Sequence, residues 1–152
     1  MDEEGIEQVE VEWLILADAA EVSNGKLYLM GGGWDRLTVN SLETAHQKAI
    51  ALSIVVPWTE ANTQHGFALV LETADGTQLS RGDGQFTVGR PADTEPGQLL
   101  RTQIVLGMGM KFSELGTYVV RSLIDETERR TFTFRVLPGP GFKKENKEPP
   151  AA

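Results

Sequence analysis

Residues 12–39 read EWLILADAAEVSNGKLYLMGGGWDRLTV, two extended runs joined by SerAsnGly at 23–25, then three glycines, Gly31 to Gly33, ahead of a tryptophan. The glycines decide between two fold classes. A phosphate loop needs glycines that open a helix, so that backbone N–H groups point at the anion, and its Walker form adds a lysine followed by serine or threonine. Here the strand-like WDRLTV follows, no Lys-Ser or Lys-Thr pair occurs anywhere, and GlyMetGlyMetLys at 107–111 also lies in a strand pattern. The triplet therefore reads as a bend, because glycine supplies the φ/ψ of a bulge and lets strands cross closely.

Outward from the bend, the periodicity is that of strands. Glu12 to Val22 is apolar on both parities through Trp13, Leu14, Ile15 and Leu16, which predicts a central strand covered on both faces. Asn24 and Gly25 tolerate the positive φ of a tight hairpin, so Lys26 to Met30 is the return strand, and residues 33–39 read as that strand resumed after a kink. The polar segment 40–47 predicts a crossover or one helical turn. Ile50, Leu52, Ile54, Val56 and Trp58 then alternate with Ala49, Ala51, Ser53 and Val55, and Pro57 closes the ladder. Residues 59–65 read as a loop, Phe67, Leu69 and Leu71 as a strand, and Asp75-Gly76 as a primed hairpin turn. Residues 78–88 predict two short pieces around ArgGlyAspGly. The two-proline stretch 89–97 predicts a surface loop. Ile104, Leu106, Met108, Met110 and Phe112 face one way, and Val105, Gly107 and Gly109 form a thinned face suited to close approach of another backbone. Two last strands, 117–124 and 130–136, are joined by AspGluThrGlu. Tyr118, in GluLeuGlyThrTyr, stands where immunoglobulin-like sandwiches place a tyrosine that bonds back across a corner.

The expected fold is thus all-β, an antiparallel β-sandwich of about eight strands, immunoglobulin-like or related. Its expected organisation is a flexible N-terminus at 1–8, one sandwich domain at 9–137 and a disordered tail at 138–152, where PGPGFKKENKEPPAA mixes prolines, glycines and charges.

Composition narrows the chemistry. The chain has 152 residues, one domain's length, and its 40% hydrophobic content is enough to bury a core. A formal net charge of −8 repels phosphate backbones and anionic lipid, so neither nucleic acid nor membrane is an expected partner. Without cysteine there is no disulfide, thiolate site or thiol nucleophile. The acidic start MDEEGIEQVEVE lacks the basic and apolar regions of a secretory signal, which predicts a cytoplasmic protein.

The candidate residues do not assemble a reactive centre on paper. His46 and His65 lie in no serine elbow, and their spacing matches no zinc motif, so both read as loop histidines. Asp18, Asp35, Asp75, Asp83 and Asp93 fall near predicted turns without calcium-loop spacing. Trp34 is flanked by Asp35 and Arg36, and Trp58 ends an alternating face. Aromatics and arginine dominate binding hot spots, so Trp34, Asp35, Arg36, Trp58 and His65 are the candidate ligand or partner contacts. The competing reading is that both tryptophans cap the core.

The combination of ADAAEV, GKL, GGGWD and VGRP across residues 12–137 resembles a family of small uncharacterised bacterial proteins, found in organisms such as actinobacteria. The resemblance implies a domain of unknown function and brings no catalytic or binding residues with it. The expectation is a protein that is not an enzyme, uses no cofactor or metal, and works through a protein partner or self-association. A small-ligand binder or sensor, with Trp34, Trp58 and loop 59–65 around the pocket, is the alternative. A hydrolase using His65 or His46 is a third.

Overall fold

The computed structural model describes residues 6–142. Nine strands are formed among them: β1 (Glu10–Ser23), β2 (Lys26–Gly32), β3 (Arg36–Val39), β4 (His46–Val56), β5 (Gln64–Thr73), β6 (Gln78–Thr87), β7 (Leu100–Met110), β8 (Gly116–Ile124) and β9 (Thr127–Pro138). They make two sheets, β2-β1-β4-β7 and β3-β9-β8-β5-β6. All pairs are antiparallel save the four-residue β3–β9 pair. The architecture is the expected sandwich.

Period-two alternation builds the core. Ile50, Leu52, Ile54 and Val56 of β4 meet Phe67, Leu69 and Leu71 of β5, Tyr118 and Val120 of β8, and Phe134 and Val136 of β9 in one buried cluster. Trp58 does not extend that face: Pro57 stops the ladder, and Trp58 opens a single 3-10 turn at 58–60. In β1, Val11, Leu14 and Leu16 join the core, whereas Trp13 and Ile15 are half-buried on the opposite face. The expected cover on both faces is therefore found on one, because a two-layer sandwich has a single interior.

The glycine triplet does more than kink a strand. Gly31 and Gly33 take φ of +60° and +86°, and Gly33 N–H donates to Leu16 O at 2.8 Å before the chain leaves the sheet. It resumes as β3 in the other sheet. The expected continuation of one strand is in fact a change of layer, and residues 40–45 carry the chain back without a helical turn.

Other turns differ in detail. Asn24 and Gly25 both have positive φ, the primed hairpin. At 74–77 only Gly76 does, so this turn is an ordinary one closed by a left-handed glycine. ArgGlyAspGly is not a turn but lies within an unbroken β6. Close approach also falls elsewhere than expected. A Cβ on Gly107 would meet nothing within 4 Å, while Cβ atoms on Gly82 and Gly84 would overlap Leu106 and Phe67. Gly82 lets β6 close against Leu106 of β7 at one side of the sandwich, and Gly84 makes room for the Phe67 ring of the neighbouring β5.

The first residues of the expected tail, 138–142, are held to the sandwich. β9 runs through Pro138, Gly139 N–H donates to Val39 O at 2.8 Å, and Phe142 packs against the core. The rest of that expected tail, 143–152, and residues 1–5 of the expected flexible N-terminus lie outside the described residues.

Candidate functional site

The structure separates the residues that the sequence grouped. Trp34 stands edge-on to Phe134 with ring centroids 6.0 Å apart, in the same aromatic cluster as Phe112, which stacks on His46 at the start of β4. Trp58 follows the other end of β4. Eleven residues at about 3.3 Å each make β4 roughly 35 Å long, and the two tryptophans stand toward its opposite ends. They cannot line one pocket. Asp35 and Arg36 are exposed beside Trp34, and the Asp35 carbonyl accepts the Arg135 N–H at 2.9 Å. Trp58 is covered by Arg90, whose guanidinium carbon lies 4.3 Å from the ring centre and whose Nη2 donates to the Trp58 carbonyl at 2.7 Å. A cleft of about 310 Å³ adjoins Trp58, between Pro57, Thr59, Leu99 and Ile6.

His65 is a buried strand residue, 6% exposed, and not a loop histidine. Its Nδ1 donates to Asp125 Oδ2 at 2.7 Å, and its ring stacks on Phe86. Its Nε2 lies 3.5 Å from Glu60 Oε2 but makes no hydrogen bond. Asp125 also accepts the Gly66 N–H at 2.9 Å through Oδ1, and its own N–H donates to Gly66 O at 3.0 Å. The hydrogen bond from His65 holds the Asp125 carboxyl below its ordinary value of 3.8, helped by the Gly66 N–H and opposed by partial burial. A histidine oriented by a carboxylate resembles half of a catalytic relay, but the relay also needs a hydroxyl on the far nitrogen, and here that nitrogen faces a second carboxylate. The arrangement ties the β8–β9 turn to β5. Asp125 and Glu126 form that turn at φ +49° and +65°, positions that cost a non-glycine residue free energy.

The aspartates named by sequence are dispersed as well. Asp18 pairs with Lys48 at 3.1 Å, Asp83 with Arg81 at 2.9 Å, and Asp75 is bound within its own turn by Thr73 and Thr77. Among the described residues, no three His, Asp or Glu gather into a cluster that could hold a metal ion. Nor is any helix there long and apolar enough to cross a membrane.

The two outer faces of the sandwich differ in kind. On the five-stranded sheet, Arg121 pairs with Glu72 and Glu128, and Arg81 with Asp83 and Glu126. The four-stranded sheet instead directs Ala17, Ala49, Ala51 and Val55 away from the main core, each buried under its neighbours: Ile15, Val105 and Gly107 adjoin the alanines in the ladder, and Glu10 and Arg101 adjoin Val55. Glu12, which accepts from Ser53 Oγ at 2.9 Å and Arg101 Nε at 3.1 Å, borders the apolar area at one end.

From Ala17 this face continues along the β1–β2 hairpin past Met30 and Tyr28 to a free sheet edge, while Val22 and Leu29 lie on the hairpin's other face. Tyr28 is 55% exposed, Met30 71%, Val22 40% and Leu29 37%. They are the exposed large hydrophobics among the described residues, and all four lie on this hairpin. Each side chain forgoes part of the roughly 1.5–3 kcal/mol that full burial of such a group gives. The strand KLYLMGG carries one charge and no proline, so it has none of the usual guards of a sheet edge beyond Lys26. Sequence reading passed over these residues, although the lack of polar alternation in β2 was a visible signal.

Comparison with known proteins adds a family and a fold. The model of a family of unknown function, DUF6941, matches residues 12–137, the span over which the sequence resembles uncharacterised proteins. No curated protein matches the chain. Among solved structures, the crystal structure of the C-terminal domain of wzt is similar, with a TM-score of 0.50 at 13% identity, over 97% of this chain and 86% of that one. At that identity the likeness is one of fold.

Proposed function

From the premise that the chain belongs to the DUF6941 family of unknown function, we propose that it is a non-enzymatic β-sandwich module that binds protein through the β1–β2 hairpin. The observation that carries this reading is the concentration of exposed apolar side chains on one unguarded sheet edge. A strand edge offers main-chain donors and acceptors for affinity and alternate side chains for selectivity, the two elements of recognition by strand addition. The ion-paired outer face of the other sheet offers neither.

Affinity capture from the lysate of the native host, with the wild-type chain and Met30→Lys as paired baits, tests the reading. Proteins held by the wild type and released by the variant support it. Identical sets from both baits sink it. A small-ligand role has the Trp58 cleft as its supporting observation, without Trp34. Native mass spectrometry of protein purified from its host would reveal a retained molecule, and Trp58→Ala would release it.

A further inference from the structure

We propose that the occupant of the β2 edge is a second copy of this chain, paired antiparallel about Leu29 so that two four-stranded sheets continue as one of eight strands. This rests on the reading of the hairpin as an interaction edge and names its partner.

The register of the hairpin sets the geometry. Ser23 and Lys26 close a two-residue turn, so they form a hydrogen-bonded pair, as do Glu21 with Tyr28 and Ala19 with Met30. Lys26, Tyr28 and Met30 thus spend their main-chain groups on β1. Leu27 and Leu29 turn their N–H and C=O groups to the free edge. Available length is bounded on both sides, by the turn at Asn24-Gly25 and by the left-handed Gly31, past which Gly32 opposite Ala17 and the Gly33 N–H on Leu16 O are the last contacts with β1. The midpoint of the usable segment, 27–31, is Leu29.

A two-fold axis at that midpoint matches the strand to itself. Leu29 stands opposite its copy, and Tyr28 of each chain stands opposite Met30 of the other on the same face, so exposed groups cover exposed groups. Charge favours the same site. In a chain of net charge −8, most contacts between copies bring acid to acid, but β2 has no acidic residue. The other sheet edges are less available: β6 and β7 close on one another through Gly82 and Leu106, and β3 is four residues long with Gly139 bonded beyond it.

Sedimentation velocity and site-directed cross-linking of the full chain test the pairing. The mass should rise from the monomer's 16.7 kDa toward twice that value as concentration increases. Over a range of about 1 μM to 1 mM, Met30→Lys should move the midpoint at least tenfold higher while its circular dichroism stays that of a folded sandwich. Because the chain has no cysteine, Leu29→Cys reports register directly. Its two Cα atoms would lie about 5.5 Å apart, within reach of a disulfide, so oxidation should give a covalent dimer, and the exposed control Thr133→Cys on β9 should not. A single monomer mass at every concentration overturns the second copy; if Met30→Lys still loses a lysate partner, the hairpin reading survives it. A dimer indifferent to Met30→Lys, in which Leu29→Cys cross-links no faster than Thr133→Cys, overturns the β2 pairing as well, and the hairpin reading falls with it only if both baits also capture the same lysate proteins.

Discussion

At Asp125 a single side chain accepts from two donors at once, the His65 ring and the Gly66 N–H, while its own backbone sits in a left-handed conformation. Asp125→Ala should destabilise the fold by about 1–3 kcal/mol in urea titration, because a buried imidazole donor loses its acceptor. The pH dependence follows from the depressed carboxyl. A folded-state value lower than the unfolded one contributes stability that is fully present above 3.8 and is lost as pH falls through the lowered value. The urea midpoints of wild type and Asp125→Asn should therefore converge as pH is taken below that range. A gap that stays constant to the lowest accessible pH would contradict it. Glycines give a second residue-level test, since Gly84 lies against the Phe67 ring and Gly107 faces open space. Gly84→Ala should cost about 1–3 kcal/mol by overpacking. Gly107→Ala should be neutral or stabilising by up to about 1 kcal/mol, because it only restricts the unfolded chain. The sequence marked both positions with the same residue type, and the side chain on the neighbouring strand, Phe67 of β5, distinguishes them.

Among the elements, the corner before β8 is the clearest match between pattern and structure. Tyr118, 1% exposed, donates its hydroxyl to Glu114 O at 2.5 Å and accepts the Glu114 N–H at 3.2 Å. Tyr118→Phe keeps the ring in contact with Phe112 and Phe134 but strips two main-chain groups of their partner. The expected cost is about 1–3 kcal/mol, with faster amide hydrogen exchange at Glu114; unchanged exchange there would mean the corner does not hold the strand. Strand identity was legible throughout, from Ile50 to Val56 above all, because side chains alternate with a period of two whatever their neighbours are. Sheet membership was not. WDRLTV reads the same whether it continues β2 or crosses to pair with Arg135 to Pro138, since local sequence encodes extension and not the identity of the partner strand. His65 shows the same limit: a polar run hid the start of β5, and only Asp125, sixty positions away, accounts for burying an imidazole there.

For the whole molecule, pairing through β2 ties stability to concentration. Association that favours the folded state raises the thermal midpoint with protein concentration, and Met30→Lys should flatten that dependence. A wild-type midpoint independent of concentration would argue for a monomer. By itself the sequence determined the class of fold, one sandwich core and the bend at Gly31–Gly33, because these follow from alternation, turn chemistry and the steric freedom of glycine, all local properties. The candidate site was decided by tertiary structure. Trp34 and Trp58, neighbours in argument, stand at opposite ends of β4, and the exposed edge at Tyr28, Leu29 and Met30 exists because β2 has β1 on one side and nothing in the described chain on the other. Burial depends on which surfaces meet, and a pattern with a period of two names the faces of a strand without naming what lies against them.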